Sequence, residues 1–149
     1  MFNPLEITPK DELDLCQYIH DTRSKILEKI ESHGAILFRG WDVNTPEKFS
    51  QIARSLGKTD DYIRSDISCS AGPRIEITNG VFTANEAPCD ESIPMHHEMA
   101  QCLDPPKYVL FYCSVPAKRG GSTPIIKSSD VTREFKLRFP CCAKKLNEK

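Results

Sequence analysis

No window of the 149-residue chain approaches the roughly 18 consecutive apolar residues needed for a membrane-spanning helix. The stretch from Met1 to Leu15 is rich in Pro, Asp and Glu and has no apolar run, so it does not read as a signal peptide. An excess of one charge is also missing. The 20 basic residues face 21 acidic ones, and no basic stripe stands out, so neither nucleic acid nor an anionic membrane is expected as a partner. Seven cysteines, an odd number without Cys-x-x-Cys spacing, argue against a zinc-ribbon framework. Together with the missing signal they point to reduced thiols and a cytoplasmic location. Adjacent Cys141 and Cys142 read as part of a loop or chain end rather than a metal site.

Three catalytic signatures are absent as well. A helical zinc site needs His-Glu-x-x-His, and here His97-Glu98-Met99-Ala100 runs into Gln101. A zinc deaminase needs His-x-Glu followed by Pro-Cys-x-x-Cys, which Cys102 and Cys113 do not supply. Gly-x-Ser-x-Gly occurs nowhere. There is no internal repeat and no low-complexity linker.

The scaffold is easier to read. Thr8-Pro9 is a cap-plus-proline start, and Leu13, Cys16, Ile19, Ile26, Leu27 and Ile30 recur at helical spacing until Gly34. His20 and His33 lie on or beside this helix and read as ordinary helix residues rather than ligands. Ala35-Ile36-Leu37-Phe38 predicts a buried strand. Thr45-Pro46-Glu47 opens a second helix through Phe49, Ile52, Ala53 and Leu56, closed by Gly57. The polar stretch from Lys58 to Ala71 reads as a loop. Arg74 to Thr78 alternates as a half-buried strand does, and Asn79-Gly80 is a hairpin turn signal.

Lys107 to Val115, β-branched and aromatic throughout, predicts a strand buried on both faces. Thr123 to Ile126 predicts another. Ser128-Ser129-Asp130 predicts the cap of a helix through Val131, Phe135 and Leu137 that Pro140 ends, with a frayed tail after Ala143.

Chemistry concentrates in Pro94-Met95-His96-His97-Glu98-Met99. On a strand, alternate residues share a face, so His96 and Glu98 would look into one cavity while His97 turns away. An imidazole and a carboxylate are two thirds of the two-histidine, one-carboxylate set that holds non-haem Fe(II) with positions left open. Asn85 and Glu86 read either as pocket residues or as a turn asparagine and a solvated glutamate.

Taken with Gly34-Ala35-Ile36-Leu37-Phe38-Arg39-Gly40, Phe82-Thr83-Ala84-Asn85-Glu86-Ala87-Pro88, Phe111-Tyr112-Cys113, Pro116 and Gly120-Gly121-Ser122-Thr123-Pro124, that segment resembles a family. The family is the taurine-dioxygenase-like (TauD/TfdA) Fe(II)/2-oxoglutarate-dependent oxygenases of the clavaminate-synthase-like fold. The resemblance implies an α+β fold, a double-stranded β-helix (jelly roll) with N-terminal flanking helices, here incomplete. It assigns His96 and Glu98 to iron and Thr123 to the carboxylate of 2-oxoglutarate, with Asn85 as a substrate contact. It implies dioxygen and a small organic acid or amino-acid-like molecule as reactants, and hydroxylation or a related oxidation as the outcome. A carboxylate ligand at Glu98 argues against the halogenating branch, which vacates that position for chloride.

The family also uses a distal histidine and, soon after it, an arginine that pairs with 2-oxoglutarate. No histidine follows His97 in this chain, and Arg133 and Arg138 do not occupy the arginine's position. Residues 1–149 are therefore expected to be a single TauD/TfdA-like domain cut short at its C-terminus. Unpaired edges and uncovered apolar faces should make it sparingly soluble. The alternative from another class is a non-catalytic binding module that keeps the scaffold. Oligomeric state is left open.

Overall fold

A computed structural model describes residues 2–10, 12–57, 74–84, 88, 91–100, 103 and 105–148. It divides into two compact units, Pro4–Gly121 and a second formed by Met1–Asn3 with Ser122–Lys149. Among the described residues there are four helices and two two-stranded sheets, an α+β arrangement.

The first unit opens with β1 (Leu5–Ile7), a strand the sequence patterning did not reveal. It pairs in parallel with β2 (Ile36–Phe38), Leu5 opposite Ile36 and Ile7 opposite Phe38. Between them runs α1 (Leu15–His33). The expected helix start at Thr8-Pro9 is not used. Ile7 is still committed to the sheet, its carbonyl accepting from Arg39 N–H over 3.0 Å. The cap is instead Asp14, whose Oδ1 accepts from Cys16 N–H over 2.8 Å. Gly34 ends the helix as expected, at φ 88°, the left-handed region where a Cβ is unfavourable.

Helix α2 (Pro46–Leu56) has the start and stop read from sequence. Thr45 accepts from Lys48 N–H over 3.2 Å, Pro46 stands in the first turn, and Gly57 caps the end. Leu15, Ile19 and Ile26 of α1 meet Ile52 of α2 in a small buried core. Each such side chain contributes about 1.5–3 kcal/mol through burial. Tyr18, Phe38 and Trp41 pack against it, with ring centroids 5.5 and 5.8 Å from that of Trp41. Arg23 Nε donates to the Leu56 carbonyl over 2.7 Å, tying α1 to the end of α2.

An antiparallel hairpin follows, β3 (Glu76–Thr78) and β4 (Val81–Phe82), turning at Asn79-Gly80 as the sequence indicates. Its buried residue is Val81, whereas Ile75 and Ile77, expected on the inner face, are exposed. Ser50, the buried polar residue of α2, donates its hydroxyl to the Asn79 carbonyl over 2.6 Å and so fixes the hairpin to the helix.

The stretch 107–115 departs from expectation. It alternates, with Tyr108, Leu110 and Tyr112 half-buried and Val109, Phe111 and Cys113 exposed, but it forms no ladder. Only one face is covered, by contacts such as Tyr112 stacked on Phe49 at 5.3 Å. Strand propensity reflects fit to a pleated, paired surface, and no described strand pairs with this stretch. The loop reading of 58–71 falls outside the described residues.

In the second unit, Thr123 to Ile126 is likewise not a strand. Helix α3 (Ser128–Arg138) starts at Lys127 without a side-chain cap bond, rather than with the serine–aspartate cap. Asp130 instead pairs with Arg133 over 3.0 Å. Phe139 breaks the helix, and Pro140 opens α4 (Pro140–Asn147), so the tail expected to fray is helical. Phe135 and Phe139 pack at 5.6 Å and line an apolar groove of about 340 Å³ with Ile126 and Val131. Among the described residues, no helix is long and apolar enough to cross a membrane.

Candidate functional site

His96 and Glu98 come together, although not by the route the spacing implied. Residues 91–97 are irregular and 98–100 form a turn, so no strand face aligns the pair. Ala100 N–H reaches back to the His97 carbonyl over 3.4 Å. Met99 takes a left-handed φ of 51°, unusual for a residue with a side chain, immediately after Glu98. Such strain recurs where a backbone is bent to aim neighbouring groups.

His96 Nε2 faces Glu98 Oε2 at 3.9 Å. That is too long for a hydrogen bond, so the two atoms stand as neighbours with room between them. His96 Nδ1 lies 2.8 Å from the Pro94 carbonyl, an acceptor only. Nδ1 must therefore carry the proton in that bond, which leaves Nε2 of the neutral ring with its lone pair toward Glu98. The imidazole is the more open group, 59% exposed against 19% for the carboxylate.

On its other oxygen, Glu98 Oε1 accepts from Arg74 Nη2 over 2.6 Å. Sequence reasoning missed Arg74; its one visible signal was a cation at the head of the alternating stretch before the hairpin.

Asn85 lies outside the described residues. Thr123 belongs to the second unit, as an exposed residue on the irregular stretch before α3. His20 is exposed and lies 3.2 Å from Asp21, and His33 Nδ1 sits near the Lys29 carbonyl at 3.1 Å. Both lie on α1.

The chain belongs to the taurine catabolism dioxygenase TauD, TfdA family, whose model matches residues 4–148. It is 38% identical over 120 residues to a clavaminate synthase-like protein of Arabidopsis thaliana, a match covering 80% of this chain and 35% of that relative. It is 34% identical over 104 residues to the dapdiamide synthesis protein DdaC of Enterobacter agglomerans, covering 70% of this chain and 30% of that protein. The chain thus spans about a third of the length of the curated relatives it matches.

The donors present fit two positions of the iron site that the family implies. An imidazole fixed in its Nε2-basic tautomer by a backbone carbonyl, beside a carboxylate oriented through its other oxygen, is the ligand-plus-support pattern of metal sites. Among the described residues, no group of three or more His, Cys, Asp or Glu completes a set.

Proposed function

We propose that these 149 residues are the N-terminal part of an Fe(II)- and 2-oxoglutarate-dependent dioxygenase built on a double-stranded β-helix, with the rest of the site supplied beyond them. The substrate is a small organic acid or amino-acid-like molecule, and the reaction a hydroxylation or related oxidation. The observation that carries this reading is the facing pair, His96 Nε2 and Glu98 Oε2, each held from behind.

In this reading His96 and Glu98 hold the metal, which when bound supplies open positions for the 2-oxo acid and dioxygen. Pro94 keeps the proton on Nδ1 of His96, so Nε2 is the nitrogen left to coordinate. Glu98 contributes the negative charge. Thr123 is assigned to hydrogen-bond the 2-oxoglutarate carboxylate, and Asn85 to contact substrate; both assignments rest on sequence position.

The test is Fe(II)-dependent formation of succinate from 2-oxoglutarate by the full-length protein, with His96→Ala and Glu98→Ala beside the wild type. Both substitutions are expected to abolish turnover. Turnover retained by either would overturn the assignment. A wild-type protein without turnover would favour a non-catalytic binding module.

A further inference from the structure

Arg74 stands two residues before the first residue of β3 and reaches 24 positions along the chain to Glu98. The bond is short and charge-assisted, with both side chains partly screened from water, at 34% and 19% exposure. It occupies Oε1, and Oε2 is the oxygen that faces His96. The imidazole is fixed from its own far side by Pro94. Each member of the pair is thus gripped by the atom it does not present to the other.

Arg74 is itself held in place. Ile75 N–H donates to Thr83 Oγ1 over 3.1 Å and Thr83 N–H donates to the Ile75 carbonyl over 3.0 Å, closing the open end of the hairpin. At the closed end, Ser50 holds the Asn79 carbonyl. A chain of short contacts therefore runs from α2, which packs in the core, through the hairpin to the carboxylate of Glu98.

We propose that Arg74 is a positioning residue of the metal site, turning Glu98 so that Oε2 is presented toward His96 Nε2. The inference rests on the reading of His96 and Glu98 as metal donors. Two effects of the guanidinium oppose one another. Its charge lowers the carboxylate's attraction for a divalent cation, while its bond fixes the carboxylate's orientation. Glu98 has three rotatable side-chain torsions and sits on a turn rather than a strand, so orientation is the larger effect. Supporting partners of metal ligands typically carry about 10–100-fold in metal affinity.

Mn(II) is the probe, titrated into the full-length protein and followed by the electron paramagnetic resonance of the free ion. Arg74→Ala is expected to weaken binding about tenfold or more. Arg74→Lys, which keeps a charged donor without the planar fork, should recover part of the loss, and the signal of bound Mn(II) should broaden in the alanine variant. A purely structural role for Arg74 would not give that ordered recovery at matched unfolding midpoints. Binding as tight or tighter in Arg74→Ala would overturn the positioning role and leave the metal reading standing. A full-length wild-type protein that binds no Mn(II) would overturn both. If Arg74→Ala unfolds, Arg74→Lys decides alone: weakened binding supports the role, and unchanged or tighter binding refutes it.

Discussion

Removing the Ser50 hydroxyl should loosen the hairpin that carries Arg74. Ser50 is 6% exposed and donates to the Asn79 carbonyl over 2.6 Å, joining residues 29 apart in sequence. A neutral intramolecular hydrogen bond of this kind contributes about 1 kcal/mol net, and a buried acceptor left bare would cost about 1–3 kcal/mol. Asn79 is exposed, so water can replace the lost hydroxyl at its carbonyl. The low end of the range therefore applies. Ser50→Ala should cost about 1 kcal/mol, a roughly fivefold rise in hairpin opening if the loss is local. Urea denaturation gives the global figure. Amide hydrogen exchange at Thr83, which closes the open end of the hairpin onto Ile75, gives the local one. A loss below about 0.3 kcal/mol with unchanged exchange at Thr83 would refute the idea that α2 supports the hairpin.

Three further expectations follow from the fold. Ile19 is fully buried at the centre of the α1–α2 core, so Ile19→Ala should cost about 2–5 kcal/mol in denaturant unfolding; a loss under about 1 kcal/mol would mean the core is not packed as described. Asp14 is held below its ordinary 3.8, first by the Cys16 N–H bond and further by Lys48. A depressed carboxylate contributes stability above its unfolded value that is lost as pH falls through the folded one. Asp14→Ala should therefore destabilise α1 at neutral pH, and the gap to wild type should close below about pH 4; a gap that persists in acid would count against the cap. Phe111 and Val115, 68% and 81% exposed on a stretch without a ladder partner, should drive self-association of the 149-residue chain. Sedimentation velocity checks this, with dissociation expected for Phe111→Lys combined with Val115→Lys, and a monodisperse wild-type monomer as the contrary result.

What the sequence made legible was what local chemistry decides. Gly34, Thr45-Pro46, Gly57 and Asn79-Gly80 act through their own backbone preferences, and each stands where it was read. The failures share a different cause. Thr8-Pro9 has the form of a helix start, but parallel pairing of β1 with β2, a long-range event, claims the residues just before it. Residues 107–115 have strand composition, yet a ladder depends on a partner that no local pattern can reveal.

The site divides in the same way. Spacing singled out His96 and Glu98 as candidates; they lie 3.9 Å apart on an irregular stretch and a turn rather than on one strand face. Arg74 could not be assigned from spacing at all. Its role depends on a hairpin folding back across a stretch of chain that has no periodic relation to it.

The most direct measurement is anaerobic Fe(II) binding by equilibrium dialysis, comparing the full-length wild-type protein with His96→Ala and Glu98→Ala. The account expects bound iron in the wild type that competes with added Mn(II), and loss of that iron in both variants. Iron retained at wild-type level by either variant would contradict the assignment of the facing pair as the metal donors.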